Sequence, residues 1–416
     1  MKIINKIKIF SVASIAAMLL FTSCNKVDTA PTPNAIDTTT TGSTLNTVLA
    51  SSADDSLFNR LVVRSGLNTT VLATRTNRYT LIVPNNAAMR TFVTAASSGL
   101  IPAGAPEASY SKFLDSSLTV APGVLGGISK AQAIQIVSYN ILPQKITTAS
   151  FPTGFPNLAY ATTFNPAPAL SALLRLDVYL SSRNGTFVNN IPVTTPNVLA
   201  ANGVIHKVPA INIPPGSYLW NRIDGDAGLT YLKAAIQRAD SGVAAGAKLQ
   251  DALLNIGANL TVFAPTDAAF QATLTAQIAA YLVSTGVPVG TAGPIAAGLA
   301  SSPTIFTNPL VATVLTPTTV KGIVVYHLFG YRAFLNNFPT TQTSYPTLLN
   351  SGIPAHPGIG IAASLTGPSV TSATVKGVAN ASAANVSINP TPGSGTSDQN
   401  YLNGVLHKIN QVLLPQ

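Results

Sequence analysis

The chain has 416 residues, 46% of them hydrophobic and only 9% charged, against about 25% charged in ordinary soluble domains, so its solubility rests on Thr, Ser, Asn and Gln. Its net charge is +10, with no stretch that interleaves clustered Lys or Arg with aromatics, which leaves a nucleic-acid partner without an electrostatic footprint. Glu107 is the sole glutamate, no Asp or Glu lies between Asp267 and Asp398, and Cys24 is the sole cysteine, so paired-carboxylate chemistry has almost no material and an intramolecular disulfide is impossible.

At the N-terminus Lys2, Lys6 and Lys8 precede an apolar run from Ile9 to Phe21, too short to span a bilayer as a helix and read as an export signal over residues 1–23. The run ends in Leu20-Phe21-Thr22-Ser23-Cys24, which is similar to a bacterial lipobox with Phe where Leu is more usual. Cys24 is therefore expected to be the lipidated N-terminus, a reading that its place directly after the apolar run favours over a buried thiol or a nucleophile. Removing the three signal lysines leaves a diffuse +7. Residues 24–41 are rich in Thr, Pro, Ser and Asp, the composition of an extended tether. Asn25, rather than Asp, follows the cysteine, which implies sorting to the outer membrane, with the domains on the cell surface or on the periplasmic face.

The rest of the chain repeats itself. Leu81-Ile82-Val83-Pro84-Asn85-Asn86-Ala87-Ala88-Met89 returns as Val262-Phe263-Ala264-Pro265-Thr266-Asp267-Ala268-Ala269-Phe270, and Asn202-Gly203-Val204-Ile205-His206-Lys207-Val208 returns as Asn403-Gly404-Val405-Leu406-His407-Lys408-Ile409. The intervals from 84 to 202 and from 265 to 403 are 118 and 138 residues, long enough for two separate cores rather than a short solenoid repeat. The domains are placed at 42–215 and 216–416.

Within each copy the elements follow from pattern. Leu260-Thr261-Val262-Phe263-Ala264-Pro265 alternates like a half-buried strand that Pro265 ends, after which Thr266 or Asp267 can cap a helix; Asn85 or Asn86 can do the same ahead of Met89 and Phe92. Leu229-Leu232-Ile236 and Ile134-Val137-Ile141 have helical spacing. Asn202-Gly203 and Asn403-Gly404 read as tight turns leading into strands that carry His206 and His407 among apolar neighbours. These two histidines are expected to be hydrogen-bonded core residues, since neither has an acid or a cysteine close in sequence. Thr266 and Asp267 belong equally to a folding device. The segments from Ser97 to Lys130, Pro143 to Pro168 and Asn336 to Gln399 read as Thr-, Pro-, Gly- and Asn-rich loops, either binding loops or inert decoration.

A strand ending in Phe263-Ala264-Pro265-Thr266-Asp267, the Tyr326-His327 pair after an apolar run, and the terminal Asn403-Gly404-Val405-Leu406-His407-Lys408 together resemble the fasciclin domain in order and spacing. The second copy carries all three signatures. The first keeps the closing motif, has Val83-Pro84-Asn85-Asn86 for the opening one, and has Tyr139-Asn140 where the second has Tyr-His. The resemblance implies an α+β fold, two tandem fasciclin domains, each a twisted sheet wedge or sandwich with helices after the first strand and before the Tyr-His segment. It also offers Tyr326, His327 and, more weakly, Tyr139 and Asn140 as an interaction site, because the Tyr-His region of animal adhesion proteins of this family is linked to receptor binding. The apolar Ile323-Val324-Val325 run before the pair points instead to packing in the core.

No cofactor and no metal is expected. The four histidines lie in separate segments without ligand spacing. Asp224-Gly225-Asp226-Ala227-Gly228 opens like a calcium loop but has Gly228 and Ala235 where ligands belong, and Gly358-Ile359-Gly360 lacks the acid that a dinucleotide site requires. The expected function is non-enzymatic adhesion or recognition of extracellular matrix, cells or surface polymers by a membrane-anchored lipoprotein, with an extracellular protein or polysaccharide as partner and two-domain avidity as its means. The alternative is a glycan-binding accessory of a polysaccharide-uptake system.

Overall fold

The computed structural model describes residues 41–116 and 126–416; Cys24 and the signal segment lie outside them. In the first copy the strands are β1 (Tyr79–Pro84), β2 (Ile141–Leu142), β3 (Leu158–Ala161), β4 (Asp177–Ser181), β5 (Phe187–Val188), β6 (Ile191–Pro192), β7 (Thr195–Ala200) and β8 (Gly203–Val208). They form a central sheet of order β2-β1-β8-β7 and a second sheet of order β3-β4-β5-β6. In the second copy β9 (Leu260–Pro265), β10 (Leu328–Phe329), β11 (Thr343–Tyr345), β12 (Ile359–Thr366), β13 (Ser369–Lys376), β14 (Ala384–Asn385), β15 (Gln399–Tyr401) and β16 (Gly404–Ile409) follow, in sheets of order β10-β9-β16-β15 and β11-β12-β13-β14. The two copies match strand for strand, and the fold is α+β. The segments 143–168 and 336–399, read from sequence as loops, supply strands β3 and β11–β14.

The first and last strands of each copy lie side by side in parallel, Tyr79 opposite Gly203 through Pro84 opposite Val208, and Leu260 opposite Gly404 through Pro265 opposite Ile409. Leu81, Val83 and Ile205 on one face pack against the helices, while Ile82 and Val208 on the other pack against the second sheet. With both faces covered, all six residues of β9 are buried, which corrects the half-buried strand expected from its alternation. The polar residue inside it stays because its hydroxyl is bonded twice: Thr261 Oγ1 donates to Tyr331 O at 2.7 Å and accepts from Ala333 N at 3.0 Å. Thr80 does the same with Gln144 O and Ile146 N at 2.7 and 2.8 Å.

Each opening motif caps two helices at once. Asn85 Oδ1 accepts from Ala88 N at 2.9 Å and Thr266 Oγ1 from Ala269 N at 3.3 Å, capping the helices Asn86–Ala96 and Asp267–Ser284 that follow β1 and β9. The next residue in each copy reaches back to an earlier helix: Asn86 Oδ1 accepts from Leu57 N at 2.9 Å, and Asp267 accepts from Tyr231 N at 3.0 Å and Thr230 Oγ1 at 2.6 Å. The helix Thr230–Ala239 buries Leu232 and Ile236 as spaced. The helix Lys130–Tyr139 instead buries Ala133, Ile136 and Val137; Ile134 is exposed, and Ile141 already belongs to β2.

The glycines after the closing asparagines have a different role from the one their dipeptides suggest. Ala200 pairs with Gly203 and Tyr401 with Gly404, so the turns are Ala201-Asn202 and Leu402-Asn403, and each glycine is the first residue of its strand. A Cβ there would run into the carbonyl oxygen of Tyr79 or of Leu260 on the neighbouring parallel strand. Gly404→Ala is therefore expected to destabilise the protein by about 3 kcal/mol or more, measured as the loss in denaturant midpoint; a variant that unfolds like the parent would refute the close-approach argument.

Candidate functional site

In each copy the closing motif contributes an asparagine, a histidine and a lysine, and the structure brings all three into bonds with distant parts of the same copy. Asn202 Oδ1 accepts from Leu45 N at 2.7 Å, and its amide donates to Leu72 O and Thr74 O at 2.8 and 2.7 Å. Asn403 likewise accepts from Leu219 N at 3.0 Å and donates to Leu253 O at 2.8 Å. Lys207 Nζ lies 2.7 Å from Asp55 Oδ2, and Lys408 Nζ lies 2.6 Å from Asp226 Oδ2.

His206 and His407 are fully buried, and their tautomers follow from their partners. Nδ1 accepts a backbone N–H, from Asn197 at 3.3 Å and from Asp398 at 3.0 Å, so Nε2 carries the proton and donates to Ile146 O at 2.8 Å or Ala333 O at 3.0 Å. A second proton would need a lone pair that is already engaged, and burial lowers the pKa of His206 and takes that of His407 down to about 4.

Asp226, from the segment that resembles a calcium loop, is held by Lys408, by Arg222 at 3.0 Å and by Gly228 N at 2.9 Å. Burial works against its ionisation, but these partners outweigh it and hold the carboxyl below its usual range. Asp224 is matched by Lys233 at 2.7 Å.

The four residues that the resemblance offers for interaction are all buried. Tyr326 donates to Gly358 O at 2.7 Å and accepts from Val378 N at 3.0 Å. His327 donates through Nδ1 to Ile323 O and accepts through Nε2 from Leu413 N, both at 2.8 Å, and its burial takes its pKa down to about 4. Asn140 takes the same place in the first copy, donating to Ile136 O and Asn212 O at 2.8 Å, while Tyr139 donates to Asp177 O at 3.1 Å. A partner docking on the folded surface would touch none of these side chains.

One difference between the copies changes the chemistry of an equivalent position. Asn197 and Asp398 both adopt positive φ, at 59° and 51°, and each side chain accepts a backbone N–H from the segment after the short edge strand, Thr148 N at 3.0 Å and Leu335 N at 2.9 Å. Burial pushes the Asp398 carboxyl up to about 7 against the opposing Leu335 N–H, and its Oδ1 lies 3.8 Å from the neutral His407 ring.

Sequence reasoning missed a buried polar seam between the copies. Asn337 accepts from Ser181 Oγ at 2.8 Å and donates to Gly154 O at 3.2 Å, Asn184 donates to Asn336 O and Phe338 O at 2.8 and 2.9 Å, and Phe334 N donates to Asn157 Oδ1 at 3.1 Å. Arg332, 3% exposed, lies over the Tyr179 ring at 5.0 Å and donates to Asn259 Oδ1 at 3.2 Å and Asn400 Oδ1 at 2.5 Å. Phe155 of the first copy packs edge-on against Phe338 and Tyr331 of the second, both at 5.8 Å. The copies are docked on each other, so the two-domain avidity expected from the sequence does not find two independently moving domains on either side of the 215/216 boundary. The available signal was the pair Asn336-Asn337 between Phe334 and Phe338, an odd cluster for a solvated loop.

The model of the Fasciclin domain matches residues 54–214. The match falls on the first copy, the one whose motifs depart further from the resemblance; the second repeats its topology in both sheets. No curated protein matches the chain by sequence. Among solved structures it is similar to the FAS1 domain pair of the insect cell adhesion molecule Fasciclin I, with 13% identity, 86% of this chain and 95% of that chain covered, and a TM-score of 0.32.

Two outcomes are expected. An acid whose folded pKa is raised loses stability as pH climbs from its unfolded value of 3.8 through about 7, so Asp398→Asn should be close to neutral at pH 4 and stabilising by on the order of 2 kcal/mol at pH 8; equal effects in denaturant melts at both values would exclude a buried titrating carboxyl. Arg332→Ala removes its bonds to Asn259 and Asn400 and its place over the Tyr179 ring, and should cost about 2 kcal/mol, with the parent chain unfolding in one transition. Two separate calorimetric transitions in the parent would show that the seam does not couple the copies.

Proposed function

We propose that the protein is an exported lipoprotein, anchored through Cys24 to the outer membrane, whose two copies act as one rigid module for recognition or adhesion at a surface. Its partner is an extracellular protein or a surface polymer, met by the outer faces of the docked pair, and it carries out no chemistry. The observation that carries this reading is that the ionisable side chains of both repeated motifs are bonded within their own copy, leaving no reactive group of the motifs open to a substrate. The fasciclin match over 54–214 supports it, since domains of this family are chiefly adhesion and recognition modules. So does the position of Cys24 after a short apolar run. The domain pair of Fasciclin I comes from a molecule described as an insect cell adhesion molecule.

The seam also alters how binding strength arises. In a docked pair the second copy adds area and fixed geometry to one face rather than a second independently tethered contact.

Mass spectrometry of the mature protein is expected to find a lipid-modified Cys24 at its N-terminus, and Cys24→Ser to release the protein from the membrane fraction. The mature chain is expected to be retained on a surface coated with extracellular matrix or polysaccharide and to turn over none of it. An unmodified Cys24 would remove the anchor, and hydrolysis abolished by a single substitution would overturn the non-enzymatic reading.

A further inference from the structure

A cleft of about 610 Å³ opens in the second copy between the helix Thr230–Ala239 and the turn Pro303–Thr307. That volume is within the range of small-molecule sites. In a chain with few charges it gathers many of them: Asp224, Asp226, Lys233 and Arg238 line it, and Arg222 and Lys408 reach Asp226 in its wall.

The pairing within the cleft is uneven. Asp224 neutralises Lys233, and Asp226 is shared by Arg222 and Lys408. Asp267 is occupied below the cleft by Thr230 and Tyr231. Arg238 alone among these cations has no carboxylate within bridging distance. Its Nε donates to Leu315 O at 2.8 Å, which fixes the guanidinium plane and leaves both terminal nitrogens without a partner among the described residues. Such a fork, held at its root, presents parallel donors to a carboxylate at little further cost in side-chain entropy.

The rest of the lining selects the kind of carboxylate. Thr304, Thr307, Ser241 and Gln237 supply exposed hydroxyl and amide groups, while Ala234 and Pro303 supply apolar surface. A pyranose ring has that mixture of hydroxyl edge and apolar face. The Pro303–Thr307 side of the cleft opposes no carboxylate to a polyanion, for no acidic residue occurs from 268 to 397, and Asp224 on the other side is paired with Lys233.

We propose that this cleft binds a uronic acid unit of an anionic polysaccharide, with Arg238 engaging the sugar carboxylate and the hydroxyls of Thr304 and Thr307 meeting the ring edge. The proposal rests on the recognition reading above and names its partner as a carboxylated glycan.

The full mature chain is titrated calorimetrically with oligogalacturonate, with the same oligomer as its methyl ester, and with a short peptide bearing a free C-terminal carboxylate. The free acid is expected to bind at least tenfold more tightly than the ester or the peptide, and more weakly as salt is raised. Arg238→Gln should weaken the free acid about tenfold and leave ester binding unchanged. Arg64 occupies the corresponding helix position in the first copy and donates through Nε to Ile128 O at 3.2 Å, so Arg64→Gln removes the equivalent backbone tie away from the cleft and should bind like the parent. Thr304→Trp, filling the cleft from an exposed position, should block binding even if Arg238→Gln folds poorly. Equal binding of acid and ester, or parental binding by both Arg238→Gln and Thr304→Trp, would overturn the site. Peptide binding as tight as the oligomer would overturn the sugar assignment. If the chain is retained on other surfaces while oligogalacturonate fails, the cleft proposal falls and the recognition reading stands.

Discussion

The parallel pairing of the first and last strands of each copy is the constraint on which everything else depends. It joins residues more than a hundred positions apart, so the chain between them loses freedom before any of its own contacts form. Once β1 lies against β8, or β9 against β16, the helices can cover only one face of the central sheet and the second sheet only the other. The closing motif is the chemistry of that pairing. Its glycine lets the backbones approach, its asparagine ties the turn to the first helices of the copy, its histidine ties the strand to the segment after the edge strand, and its lysine meets an aspartate from the start of the copy.

This accounts for the uneven legibility of the sequence. The repeated motifs stood out because each position in them has a specific bond to make. The strand before Pro265 was legible as a strand, but not as one buried on both sides, because Thr261 mimics an exposed polar position and only the structure supplies the partners that satisfy it. Asn85 and Asn86 looked interchangeable as caps; in fact they cap different helices, which local spacing cannot reveal because the second helix's Leu57 lies 29 residues upstream in sequence. The segments 143–168 and 336–399 were opaque for a related reason. β3, β11 and β14 have four residues or fewer, and the eight-residue β12 and β13 mix Ala, Ser and Thr with few large apolar residues, so no strong local periodicity announces them.

The boundary itself has an unusual composition. Apolar contact includes rings such as Phe155 against Phe338, the small cluster of Tyr179, Phe334 and Val405, and Leu402 against the core of the first copy, while asparagine amides and the Arg332 guanidinium satisfy backbone carbonyls and one another. Such an interface is demanding in geometry. Each amide must find its donor and acceptor together, which fixes a single relative orientation of the copies more strictly than an apolar contact of the same area. The second copy has a buried carboxylate, Asp398, where the first has the amide of Asn197.

The bond between Leu45 N and Asn202 Oδ1 also has a mechanical side. It fastens the point where the chain enters the first copy to the turn between β7 and β8, next to the strand that closes the domain. Tension arriving from the N-terminal side is thereby handed to the central sheet rather than to the helices at the domain's start. There it meets β8 at its first residue, a strand held along all six of its residues by β1.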